Sequence, residues 1–339
     1  MIVVDGSQGE GGGQMLRSCL SLSMLSGRPL RMEKIRARRS RPGLQPQHLT
    51  AVLAAQRICR AKVRGAEVGS RSLEFEPGEV EAGDYHLSIG TAGSTTLVMQ
   101  TLLPPLLHAK SRSRLTLEGG THNPLAPPWD FLAESFLPLL RRMGARVAAR
   151  LERYGFYPAG GGRVWAEIDP CPRLGRLELP AIGAERRASG RILLANLPEH
   201  IGRREQKTVT EIAGIPAEAM TVEEVPSAGP GNAVMLKLDE GETAEILTAF
   251  GEKGVSAENV AAEAAHLFRR HEGLGVPIGE HLADQLLLPL ALGEGGFFLT
   301  GPLSGHTATQ IDLLQRFLPV AIRQEPAERG NVLLRVDPA

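Results

Sequence analysis

The chain has 339 residues, 42% of them hydrophobic, which is more than one core usually encloses, so two domains or a repeated architecture is expected. Lys and Arg balance Asp and Glu at 38 each and the pI is near 7.1, which excludes a molecule coated in basic surface and leaves any nucleic-acid contact to a local patch. Cys19, Cys59 and Cys171 are isolated, excluding a disulfide framework, and no stretch approaches the ~20 apolar residues of a membrane span; the expectation is a soluble chain in the reducing cytoplasm.

Short apolar or alternating runs read as strands at Ile2 to Val4, Ser72 to Phe75, Tyr85 to Ile89, Arg114 to Leu117 and Arg163 to Ile168. Between and beyond them, helical patterns cover Gln14 to Leu25, Gln47 to Cys59, Ser94 to His108, Pro128 to Met143, Ser256 to Arg270 and His281 to Leu292. In the fourth, Leu132, Phe136, Leu139, Leu140 and Met143 share a face, with Pro128 in the first turn and Gly144 as the stop. This is an α/β chain. Leu-Pro-Leu-Leu at 137–140 loosely echoes Leu-Leu-Pro-Leu at 287–290, a faint sign of an internal repeat. Between about 182 and 273 Glu and Ala dominate and glycine clusters thin out. An inserted domain is expected there, with strands near Ser189 to Ala195, Met220 to Val225, Ala233 to Leu238 and Glu245 to Phe250, and helices near Arg204 to Ala213 and Ser256 to Arg270.

Residues 5–17 place five glycines around one carboxylate, Glu10, just before a helix. Glycines let backbone N–H groups approach an anion, and the helix offers its positive end. Glu10 can hold a divalent metal on phosphate oxygens, with Arg17 about a turn further on. Arg36, Arg38, Arg39 and Arg41 then crowd one loop, suited to bidentate contact with phosphate, and Gln47 and His48 open the next helix. The Gly155–Arg163 run exceeds what a hairpin needs, and its successive glycines imply a close backbone approach to a ligand or another strand.

His306 lies between Gly305 and small hydroxyl residues at a strand-to-helix turn, where side chains face a cleft. There is no Gly-x-x-x-x-Gly-Lys-Ser/Thr loop. None of the six lysines stands in a Lys-x-Asp-Gly setting, so histidine is the preferred nucleophile for nucleotide chemistry.

Five blocks occur in order along essentially the whole chain: residues 5–17; Ile35-Arg-Ala with Pro42-Gly43-Leu44 and Gln47-His48-Leu49; Gly155–Gly162; Gly279–Gln285; and the His306 turn. Together they resemble the RNA 3'-terminal phosphate cyclases. The resemblance implies a large domain of three repeated units, each a four-stranded sheet with two helices like the C-terminal domain of bacterial initiation factor three. A smaller α/β domain is inserted, giving 1–181 with 274–339 and 182–273 here. It implies ATP-dependent conversion of an RNA 3'-terminal phosphate to a 2',3'-cyclic phosphate through AMP bound to His306. Glu10 would hold Mg or Mn, with Gln14 and Arg17 nearby. Arg36, Arg39 and Gln47 would bind pyrophosphate or the RNA end, and Pro128, His281, Asp284 and Gln285 would line the adenosine pocket. Two positions depart from the pattern: His281, where members often carry Tyr, and Tyr154, where a basic residue is common. A histidine at 281 makes nucleotide affinity more sensitive to acid than a tyrosine would. Of the competing readings, a non-catalytic ribosome-assembly relative lacks the histidine nucleophile. A carboxyvinyl transferase of similar repeats would form no protein-linked AMP.

Overall fold

The computed structural model describes residues 1–9, 12–183 and 185–339. The first unit runs β1 (Ile2–Asp5), α1 (Gly13–Ser26), β2 (Leu30–Glu33), α2 (Pro46–Cys59), β3 (Lys62–Arg64), β4 (Leu73–Glu76), and its sheet order is β1-β2-β4-β3. Strands β1 and β2 are parallel, and α1 supplies the crossover that parallel neighbours require. Alternation puts Ile2, Val4, Leu30 and Met32 inside while Val3 and Arg31 face solvent.

The second unit repeats the plan: β5 (Asp84–Ser88), α3 (Thr95–Leu107), β6 (Ser113–Gly119), α4 (Trp129–Phe131), a π-helical turn at Leu132–Phe136, α5 (Leu137–Arg142), β7 (Val147–Arg153) and β8 (Gly162–Ile168). Its order is β5-β6-β8-β7. The expected single helix from Pro128 is thus broken, and Pro128 is its N-cap rather than part of the first turn. Pro138, in the first turn of α5, has no N–H for the carbonyl four residues back, and the wider turn lies just before it.

The third unit opens with β9 (Leu177–Leu179) and resumes only after residue 279, with α8 (Glu280–Leu292), β14 (Gly296–Thr300), α9 (Gly305–Phe317), β15 (Val320–Pro326) and β16 (Val332–Pro338). Its order, β9-β14-β16-β15, is the same plan again. Between its first strand and first helix stands a fourth unit: β10 (Arg187–Ala195), α6 (Glu199–Ala213), β11 (Met220–Glu224), β12 (Gly231–Asp239), β13 (Ala244–Phe250) and α7 (Ala257–Leu274). Its order, β11-β10-β12-β13, is different.

The common strand order corrects the sequence echo. Leu137–Leu140 lies in the second helix of its unit and Leu287–Leu290 in the first helix of its own, so the two are not equivalent. The equivalent of Leu287-Leu288-Pro289 is Leu102-Leu103-Pro104 in α3. That alignment sets Gln100 opposite Gln285, and their side chains hydrogen-bond across the two units.

One apolar core runs through the three like units. The fourth sheet has period-2 alternation on two faces: Leu193, Ala195, Ala233 and Met235 join that main core, while Ile192, Val234 and Leu236 pack with Val209, Ala261 and Phe268 in a core of their own under α6 and α7. The Gly155–Arg163 run packs on protein. Cβ atoms added at Gly160 and Gly161 would meet Ala92 and Ala228, so this loop is a seam between the second and fourth units.

Candidate active site

Four helix N-termini supply the site, those of α1, α2, α8 and α9. Helix α1 starts at Gly12 without a side-chain cap and with no acid in its first turn, so its leading N–H groups face outward. The Arg39 guanidinium stands 3.2 Å from where a Gly12 Cβ would be, and a Gly13 Cβ would collide with His48 Nε2 and come within 3.0 Å of Arg17. Glycine is required there because side chains crowd onto the backbone.

His48 is buried, and the Gln45 backbone N–H donates to its Nδ1 at 3.1 Å. The ring proton therefore sits on Nε2, facing Gly13. Burial, reinforced by the charges of Arg17 and Arg36, drops this imidazole to about 3, so it is a neutral donor near pH 7. Arg36 has a buried Nε without a hydrogen-bond partner. Arg17 and Gln47 line a small cleft with Ser94, Leu97 and Val98. Sequence reasoning placed His48 only in the neighbourhood of this cleft.

Helix α9 is capped by Ser304, whose hydroxyl accepts from the Thr307 N–H at 3.1 Å, and it presents His306 one residue inside. His306 Nδ1 lies 2.5 Å from Gln14 Oε1, and Gln14 Nε2 donates to Asp284 Oδ2 at 2.6 Å. Because the amide nitrogen is committed to a carboxylate, the amide oxygen faces the ring and can only accept. The Nδ1 therefore carries a proton. Burial pushes Asp284 up to about 7 against the pull of Arg17, and its Oδ1 is buried with no partner. A second tie between α1 and α9, Ser18 to Gln310 at 2.6 Å, holds this geometry.

Gln14, Asp284 and His306 are thus in direct contact. Gln285 meets Gln100, a residue missed by sequence reasoning although it is the one amide side chain in α3, among threonines and apolar residues. Thr96, one turn before Gln100, donates to the Pro127 carbonyl at 2.7 Å, so α3 spaces the Pro127–Pro128 turn from α8. Pro128 is buried and Pro127 half-buried. His281 is 69% exposed beside Glu280, with no contact to the other candidate residues among those described. Tyr154 accepts from Arg191 Nη2 at 2.9 Å, where a basic residue would oppose the guanidinium.

Glu10 lies outside the described residues. Among the described residues, no group of three or more His, Cys, Asp or Glu could hold a metal ion.

The model of the RNA 3'-terminal phosphate cyclase family matches residues 8–324. The chain belongs to this family. The cyclase of Koribacter versatilis is 52% identical over 332 residues, covering 98% of this chain and 93% of that one. The cyclases of Ralstonia nicotianae and Pseudomonas fluorescens are 48% and 50% identical, covering 99% and 93% of this chain and 96% and 92% of theirs. Among solved structures, the enolpyruvyl transferase NikO of Streptomyces tendae matches at a TM-score of 0.39 and 11% identity, covering 98% of this chain and 48% of that one, too faint a likeness to bear on activity. Cyclase-family membership accords with the α/β repeat architecture, and among the described residues no helix is long and apolar enough to cross a membrane.

Proposed function

We propose that this chain uses ATP to convert the 3'-terminal phosphate of RNA into a 2',3'-cyclic phosphate, with His306 as the adenylylated residue. The observation that carries the reading is the His306–Gln14–Asp284 chain, which orients the His306 ring through Nδ1 beside a cationic, glycine-walled helix terminus. In the first step, Nε2 attacks the α-phosphorus of ATP and pyrophosphate leaves. The imidazolium so formed keeps its Nδ1 proton on Gln14. The triphosphate fits the α1 terminus, His48 Nε2–H, Arg17, Arg36 and Arg39, which supply donors and positive charge where charge develops. In the second, an oxygen of the RNA phosphate attacks the same phosphorus and the P–N bond breaks. In the third, the ribose 2'-hydroxyl attacks the RNA phosphorus, its proton passes to solvent and AMP departs; nucleophile and phosphorus share one ribose, so positioning does most of the work.

Gln47 serves the pyrophosphate or the RNA end, and Pro128, His281, Asp284 and Gln285 line the adenosine pocket. A divalent Mg or Mn on Glu10 would offset phosphate charge. We also take 182–273 as the inserted domain within a large domain of 1–181 and 274–339, and the cytoplasm as the compartment that suits three unpaired cysteines.

The test is incubation with ATP labelled at the α-phosphate. Label that remains on the denatured protein, is released by acid and is absent in His306→Ala supports the reading. An unlabelled parent protein, or label retained in the variant, overturns it.

A further inference from the structure

The fourth unit contributes none of the proposed site residues, yet it touches both segments that carry the base-pocket walls. We infer that this unit is a bracket for that pocket: Glu245 and Arg191 are positioning residues that hold the helix α8 terminus, bearing His281, and the α4 terminus, beginning at Pro128. The inference rests on the reading of Pro128 and His281 as walls of the adenosine pocket.

On one side, Glu245 of β13 is buried and its Oε1 accepts the Gly279 N–H at 2.5 Å. Gly279 is the N-cap of α8 and has no side-chain cap of its own, so Glu245 acts as a cap delivered from another unit. His281 lies two residues further on, and Asp284 and Gln285 follow within the next turn. The fit is close: a Cβ on Gly279 would stand 3.0 Å from the Glu245 carboxyl.

On the other side, Asp130 lies two residues past Pro128 and is 3% exposed. Its Oδ1 accepts from Arg191 Nη1 of β10 at 2.7 Å, and its Oδ2 pairs with the buried His122 Nε2 at 2.7 Å. Arg191 is itself fixed, donating to both Glu223 oxygens and to the Tyr154 hydroxyl. An anchored guanidinium on a buried carboxylate defines the position of the α4 terminus far better than an exposed ion pair would.

Strand β13 connects the two sides. It packs against the Trp129–Phe136 segment and also supplies Glu245, and Lys237 of the neighbouring β12 reaches Glu134 at 3.0 Å. From within the three like units, α3 spaces the same two walls through Thr96 and Gln100. The walls are therefore held from both sides, and Glu245 and Arg191 belong to a unit that supplies none of the proposed triphosphate ligands.

The experiment uses the full chain as parent, Glu245→Ala, Glu245→Gln, Arg191→Met and Arg191→Lys. Protein-linked nucleotide formation is followed, AMP from labelled ATP and GMP from labelled GTP, with inorganic tripolyphosphate as competitor. For Glu245→Ala and Arg191→Met the KM for ATP should rise 5- to 20-fold and the preference for ATP over GTP should shrink. The rate at saturating ATP should stay within threefold, and tripolyphosphate inhibition should be unchanged. Glu245→Gln, which keeps an acceptor oxygen, should restore most of the loss. Should either truncation fail to fold by circular dichroism, Arg191→Lys decides: it keeps the charge but loses the fork that spans Asp130, Tyr154 and Glu223, so its preference for ATP over GTP should fall at least twofold, and an unchanged preference overturns the bracket. An unchanged KM and base preference in folded variants, or a loss shared equally by ATP and tripolyphosphate, overturns the bracket. A parent that takes up no label at all instead overturns the adenylylation reading beneath it.

Discussion

The three like-ordered units and the fourth unit are both four-stranded sheets with helices, but they use burial differently. In the like units, half-buried polar side chains meet where helix termini of the first and third units converge: Gln14 of α1, Asp284 of α8 and His306 of α9 are hydrogen-bonded there. In the fourth unit, Glu205 on the inner face of α6 is fully buried with one oxygen bonded to Asn232 and the other unpartnered, in a helix that carries no proposed site residue. Repetition therefore gave several equivalent helix termini that could be turned toward one point. The differently ordered unit lays one face of its sheet on the main core and keeps the other for its own two helices.

The largest test of this contrast is His306→Ala, which should lower AMP uptake from labelled ATP by about a thousandfold or more with circular dichroism unchanged. Glu205→Gln should leave uptake intact. Next is Gln14→Ala, which frees the His306 ring to take either tautomer and should slow adenylylation by roughly 10- to 100-fold in single-turnover kinetics, with little change in melting temperature. An equal loss of stability would mean that Gln14 is a packing residue.

Asp284→Asn should cost about tenfold and change the pH profile. The carboxyl sits near 7 because it is buried, and its ionised form is the stronger acceptor for Gln14, so the parent's rate should rise with pH between 6 and 8 while the Asn variant stays flat.

The smallest effect concerns stability alone. Burial holds Glu205 up at about 7, far above its unfolded value. The folded state then retains a proton that the unfolded chain releases, so stability falls as pH rises from about 4.5 toward 7, by up to about 3 kcal/mol for this group. Urea midpoints for Glu205→Gln should show a shallower decline between pH 5 and 8, with Glu245, raised to about 8 by burial, sustaining the rest. His48 and His271, lowered to about 3 and about 4 by burial, act in the opposite direction, withdrawing stability as pH falls below the unfolded histidine range.

Much of this architecture was legible. Periodicity located β1, α1, α2, α3 and α7 to within a few residues, because each buries a continuous local stripe. Composition marked the stretch that holds the fourth sheet. The three-residue β9 was not legible, since its partner β14 lies more than a hundred residues away and so short a run has no period of its own. Nor was the break in the α4–α5 helix, where a proline inside an apolar pattern permits either a stop or a wider turn.

At the site, residue types and order named Gln14, Arg17, Arg36, Arg39, Gln47, Asp284 and His306 together, through glycine spacing and family resemblance. They did not name Gln100, Arg191 or Glu245, whose roles depend on side chains that meet across units. The local chain determined which segments become helices with exposed, glycine-lined starts, because capping and hydrophobic period act over a few residues. Only the tertiary structure decided which helix starts face one another and which ring nitrogen of His306 carries the proton. Those outcomes depend on hydrogen bonds between residues nearly three hundred positions apart, which no local pattern encodes.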